Sequence, residues 1–192
     1  MLLDKETRES ILHRLKGYRL RHTLGCEKAA VQLARQYGED VEKCAAGALL
    51  HDITKGVSPE EQLYLCEKYS IIPIDVEREE PKILHGKTAA QIARLEYRVP
   101  EDVAAAIACH TTGRAGMTKL DKILYLADFI EETRRFDGVD KARALCKTSL
   151  DHAMLYCLDF SIRELLERKK KIHMDTIFAR NGLIGTVGEN NQ

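Results

Sequence analysis

At 192 residues, 44% of them hydrophobic, the chain is long enough to bury a real core, and its composition suits a folded globule. Thirty basic and thirty acidic residues cancel, which excludes a global field favouring nucleic acid or anionic lipid, so any phosphate-binding charge must be local. No apolar run approaches the roughly 20 residues of a membrane span, and the charged start MLLDKETRES does not resemble a signal peptide. The expectation is a cytoplasmic protein without nucleic-acid or membrane partners.

Helix signals dominate the chain. Residues 4–16 read as a first helix and 19–37 as a second, where His22, Cys26, Ala29, Ala30, Leu33 and Tyr37 share one face. A third runs from about 39 to 54 after the Gly38 break. Ser58-Pro59-Glu60-Glu61 is a strong helix start, with a capping serine, proline at the first position and Glu61 placed for a capping box; that helix runs to about Tyr69. Residues 71–74 form an extended connector and 75–84 a charged, irregular or short helical segment. Helices follow at about 86–97, 100–111, 118–133 and 140–170, the last with a candidate break near Thr148-Ser149, and a short one at 174–181. The small, polar tail 183–192 is expected to fray. The fold class is all-α, a single domain over 1–192. Six cysteines in apolar settings, without a C-x-x-C pair, read as buried free thiols.

Several polar residues sit where packing alone explains them poorly. His51-Asp52 closes the apolar run CAAGALLHD, and Asp is rarely buried without a partner or a cation. His22 lies on the apolar stripe of the second helix, His85 starts a helix after Leu84, His110 ends DVAAAIACH, and Asp128 shares a stripe with Leu124, Ala127 and Glu131. Singly, each has an ordinary explanation: a hydrogen-bonded core histidine, or Asp128 paired with Lys122 or Arg135. Together they stand on separate helices or helix ends, as convergent metal ligands in a helical bundle must. His13 and His152 fall outside the pattern and read as structural or exposed.

The order H…HD…H…H…D resembles the HD-domain metal-dependent phosphohydrolase superfamily. The words RLRHTLGCEKAA, LLHDITKG, ILHGKTAA, ACHTTGRAGMTKLDKILYLADFIEETRRFDGV and IHMDTIFARNG resemble the YqeK-type members, symmetrical diadenosine tetraphosphate hydrolases of bacteria, over about residues 18–182. The resemblance implies an HD-domain helical bundle in which His22, His51, Asp52 and Asp128 hold a divalent transition metal. Iron is the implied ion; the residues alone also accommodate manganese, cobalt or zinc. One ion is favoured, with His85 and His110 on the phosphates, over two ions bridged by the doublet aspartate. The implied catalytic set is His85, His110, Asp52 and Lys55. The implied substrate contacts are His22, Lys55, His85, His110, Asp128 and Arg134, with His173, Thr176, Arg180 and Asn181 closing over the nucleotide from the C-terminal end.

The expected reaction is in-line attack of a metal-activated water on a phosphoanhydride, releasing two ADP from diadenosine tetraphosphate. A dinucleoside polyphosphate or ADP is the expected ligand, and a homodimer is left open. With aromatic residues at 6% and no tryptophan, base recognition is expected to rest on aliphatic packing and backbone contacts. The alternatives are another HD hydrolase, acting on a nucleoside monophosphate or cyclic dinucleotide, and a nucleotide-binding sensor that keeps the fold without turnover.

Overall fold

The computed structural model describes residues 2–189, which form α-helices and one short 3-10 turn, with no strand among them. The helices are α1 (Lys5–His13), α2 (Gly17–Tyr37), α3 (Val41–Leu50), α4 (Pro59–Lys68), α5 (Asp75–Glu79), α6 (His85–Leu95), α7 (Glu101–Cys109), α8 (Lys119–Ile130), α9 (Val139–Cys146), α10 (Leu150–Glu167) and α11 (Met174–Glu189); the 3-10 turn, Pro81–Leu84, leads straight into α6. The starts follow local chemistry. Asp4, Asp40 and Ser58 accept hydrogen bonds from the first-turn amides of α1, α3 and α4, and Thr118 and Asp121 cap α8 reciprocally. Gly38, at φ 63°, ends α2 in the left-handed conformation that glycine adopts without strain.

Helix α2 packs on α3 and α8, α7 on α6, α3 and α8, and α10 on α8, α9 and α11. The shared core draws on Leu33, Leu50, Ile107, Ile123, Leu126, Met154 and Leu158. All six cysteines are buried and free.

Two element boundaries differ from expectation, and the candidate break near Thr148-Ser149 is present. The 39–54 helix ends at Leu50, and residues 51–56 turn sharply, because the chain must carry His51 and Asp52 inward. The 140–170 segment is two helices: Ser149 leaves helical geometry and accepts from His152 N at the start of α10. The segment 183–189, expected to fray, is the last stretch of α11, and Leu183 is buried in the core, which gives the helix a reason to run past Gly182. Residues 190–192 lie outside the described part.

Candidate metal centre

Five elements meet at one end of the bundle. His22 comes from the second turn of α2, His51 caps the C-terminus of α3, Asp52 follows in the turn, His85 is the first residue of α6, His110 caps α7, and Asp128 lies in the last turn of α8. All four histidines and Asp52 are buried.

Three of the rings use one local device. Nδ1 of His51, His85 and His110 donates to the carbonyl three residues earlier, Ala48 O at 2.7 Å, Lys82 O at 2.6 Å and Ile107 O at 2.7 Å. A carbonyl only accepts, so the proton is on Nδ1 and the Nε2 lone pair points inward. His22 reaches the same orientation through Nδ1 and Glu131 Oε1 at 3.0 Å. Asp52 is the hub. Its Oδ2 faces His22 Nε2 and His51 Nε2, both at 3.5 Å, and its Oδ1 faces His85 Nε2 at 3.2 Å and His110 Nε2 at 3.5 Å. Asp128 Oδ1 lies 3.1 Å from His22 Nε2 and 3.9 Å from His51 Nε2.

This arrangement fits a cation. His51 Nε2 and Asp52 Oδ1 are buried with no hydrogen-bond partner, which is costly unless something positive meets them. Donor atoms of His22, His51 and Asp128 lie within 4.8 Å of one another, as do those of His51, Asp52 and His110. Two imidazoles and two carboxylates are a donor set for a divalent transition metal. Cys26 Sγ joins the first group, 3.6 Å from His22 Nε2, but burial pushes its thiol up to about 12 and keeps it a protonated, poor ligand.

The electrostatics agree. Burial would raise the carboxyl groups of Asp52 and Asp128, yet a proton on His22, which faces both, with Lys55 and Arg134 also acting on Asp128, holds both well below the usual carboxylate range. Burial pushes His51 down to about 4 and also lowers His85, so both rings are neutral and free to accept. Burial opposes a proton on His22 too, but Asp128 and Asp52 outweigh it and raise that group to about 12. A proton on His22 is thus the alternative to an ion in satisfying these oxygens.

Two cations flank the cluster. Lys55 Nζ is 2.8 Å from Asp52 Oδ2, and Arg134 pairs with Asp128 through Nη2 and donates from Nε to Asp128 O at 2.8 Å. Asp128 therefore pairs with neither Lys122, which is on Asp151, nor Arg135, which donates to the carbonyls of Glu132 and Arg134. His173, just before α11, and the α11 residues make other contacts. His173 Nε2 is 3.3 Å from the buried Glu77, Arg180 Nε donates to Asp159 on α10 and its Nη1 to Asn181, and the Thr176 amide donates to His173 O. None of these contacts reaches the cluster. His152 stays on Ser149, away from the site.

Residues with no assigned role support the site. Glu131 orients His22, and its place on the Leu124, Ala127, Asp128 stripe is the signal that could have found it. Gly25 makes room for it: a Cβ there would stand 2.5 Å from Glu131 Oε2. Gln62 donates to Thr54 O and accepts from Thr88, and Thr54 Oγ1 donates to His85 O, which ties the turn carrying the doublet to α4 and α6. These crossings join segments far apart in sequence and leave no local pattern. The scarcity of aromatics also hides a cluster: Phe129, Phe136 and Phe160 meet beside Asp128.

Residues 19–133 match the HD domain family. The chain is 32% identical over 181 residues to a protein of Bacillus subtilis (strain 168) named bis(5'-nucleosyl)-tetraphosphatase, symmetrical, covering 94% of this chain and 97% of that one. A protein of the same name from Halalkalibacterium halodurans is 36% identical over 171 residues, covering 88% and 91%. The crystal structure of a predicted HD superfamily hydrolase from Clostridium acetobutylicum, described as involved in NAD metabolism, superposes with a TM-score of 0.89 at 35% identity, over 93% of this chain and 95% of that one. The chain belongs to the HD domain family, alongside relatives named symmetrical bis(5'-nucleosyl)-tetraphosphatases.

Proposed function

We propose that the chain hydrolyses dinucleoside tetraphosphates symmetrically, cleaving diadenosine tetraphosphate to two ADP, as one HD domain acting in the cytoplasm. The observation that carries this reading is the convergence of four Nε2 atoms on Asp52, with Asp128 facing two of the same rings and Lys55 and Arg134 beside them. The names of the relatives support the substrate. The proposed ion is iron, one per chain, held by His22, His51, Asp52 and Asp128.

When bound, such an ion acidifies a water and draws charge from a phosphate oxygen. The chain's own groups do the rest. Asp52 spans the site with both oxygens and fixes the geometry of attack. Lys55 and Arg134 offset the charge of the phosphates that border His22 and Asp128. His85 and His110 contact the phosphate on the Oδ1 side of Asp52. The Nε2 lone pair of His85 or His110, 3.1 Å apart, takes up the proton lost by the attacking water and returns it to the departing phosphate oxygen. His173, Thr176, Arg180 and Asn181 close over the nucleotide from α11. In support, a Cβ at Gly113, on the turn after His110, would stand 2.9 Å from Ala179 Cβ, so α11 rests on that turn.

A second reading of the ion count has one observation behind it. Asp52 Oδ1 lacks a hydrogen-bond donor and faces Nε2 of His85 and His110, and these three residues would hold a second ion. Metal content of protein purified without chelators or nickel resin separates one ion per chain from two. The reaction is tested by incubating the protein and Fe²⁺ or Mn²⁺ with diadenosine tetraphosphate. ADP alone is expected; ATP plus AMP, or no turnover, overturns the reading.

A further inference from the structure

A cleft of about 600 Å³ opens beside the ligand cluster, between α8, the α8–α9 connection and α10. That is within the range of small-molecule sites. Its inner end is formed by His110, Asp128 and Arg134, so it is continuous with the cluster. Its walls are aromatic. Phe129 and Phe136 pack edge to face with ring centroids 5.1 Å apart, Phe129 and Phe160 do so at 5.7 Å, and Phe136 and Phe160 lie 5.2 Å apart. A chain with only four phenylalanines has placed three of them here. All three are half-buried, so part of the ring surface is turned to the cleft rather than spent on the core. Glu164 and Arg168 form the rim and pair with each other at 2.8 Å. No α11 residue lines this side.

A substrate cut at the middle of its tetraphosphate has two equal halves, and its two nucleosides leave the reacting phosphorus in different directions. One half has the α11 residues. We propose that the aromatic cleft between α8 and α10 is the subsite for the other nucleoside, its base stacked on the Phe129, Phe136 and Phe160 rings and its phosphate passing Arg134. This subsite rests on the reaction proposed above. Arg134 is the link, since its guanidinium holds Asp128 at the cluster and also borders the cleft. Glu164 offers carboxylate oxygens at the rim, acceptors for ribose hydroxyls. Every base has a π face, so stacking walls discriminate little between bases. This half of the site is therefore tolerant, and a mixed adenosine–guanosine tetraphosphate is cleaved about as well as the diadenosine compound.

The test compares Phe160→Leu, which keeps apolar volume but removes the ring, with Phe160→Tyr, which restores it. The substrate is diadenosine tetraphosphate, and the control is adenosine 5'-tetraphosphate, with one nucleoside, read as substrate or as competitive inhibitor. Phe160→Leu is expected to raise KM for the dinucleotide about tenfold, the loss of one base–aromatic stack. It should leave kcat and the constant for the one-nucleoside control nearly unchanged, and Phe160→Tyr should recover KM. Equal effects on both compounds, or none on either, overturn the subsite. Wild-type protein that releases no ADP overturns instead the reaction on which the subsite rests, so the two failures are distinguishable.

Discussion

His85 Nε2 lies 3.1 Å from His110 Nε2, while each ring gives its Nδ1 proton to a carbonyl three residues earlier. Two lone pairs thus face each other at contact distance, beside the buried Asp52 Oδ1. With His22 and His51 on the other oxygen of Asp52 and Asp128 beside those two rings, the fold concentrates acceptors and leaves them to a cation. Ion binding is then part of folding stability. At free ion about a hundredfold above Kd the gain is about 2.7 kcal/mol, or roughly 5–10 °C in Tm for a chain of this size. Chelation is expected to lower Tm by that amount, and added Mn²⁺ or Fe²⁺ to restore it, measured by calorimetry.

Glu131 sets the orientation of His22 through the 3.0 Å contact to Nδ1 and is itself held by Thr133. Glu131→Gln keeps the shape but removes the charge that makes His22 a stronger donor to an ion. Losing an outer partner of a metal-bound histidine costs about 10–100-fold in affinity. Competition with a chelator is expected to show a loss at the lower end of that range for Glu131→Gln. Glu131→Ala, which frees the ring, should fall at the upper end.

Gly86 is where α6 crosses α7. A Cβ there would meet Ala108 O at 2.9 Å and Ile107 O at 3.2 Å, and His110 Nδ1 at 3.4 Å. Two of these neighbours are backbone and cannot swing aside, so Gly86→Ala must separate the helices that bring His85 to His110. Overpacking of this kind costs about 1–3 kcal/mol. A lower urea midpoint is expected. In buffer where the variant is still folded, turnover should fall, since the separation acts directly on the histidine pair.

Much of the centre is legible in the sequence, and the reason is positional. His51, His85 and His110 stand at helix ends next to apolar runs, where a polar ring has no packing motive, and the chain order of the ligands carries the family pattern. The ordinary explanation for Asp128 alone, pairing with Lys122 or Arg135, fails because the chain turns at Glu131 after α8 and brings Arg134 back onto Asp128, which no helical spacing predicts. The Ser149 break was readable as a cap, whereas the persistence of α11 depends on Leu183 finding the core. The Phe129, Phe136 and Phe160 cluster was invisible because a low aromatic count says nothing about how α8, its following loop and α10 gather what there is.

Glu77 offers a pH test away from the centre. It is buried on α5, accepts from Lys87 Nζ at 2.6 Å and Ile74 N at 3.0 Å, and faces His173 Nε2 at 3.3 Å, so one carboxylate ties α5 to α6 and to the start of α11. Burial alone would raise its pKa. The hydrogen bonds from Lys87 and the Ile74 amide outweigh burial and hold the group below its ordinary value of 4.5. A carboxyl whose folded pKa is depressed contributes stability that is fully present above the unfolded value and is lost as pH falls through the folded one. Wild-type Tm should therefore drop below about pH 4.5 more steeply than that of Glu77→Gln, and the gap between the two should be widest at neutral pH and close in acid. A gap independent of pH would assign the stability to packing rather than to the charge. Because His173 leans on the same carboxylate, Glu77→Gln should also raise KM for the dinucleotide while changing kcat less, which links this acid-sensitive tie to the α11 side of the nucleotide site.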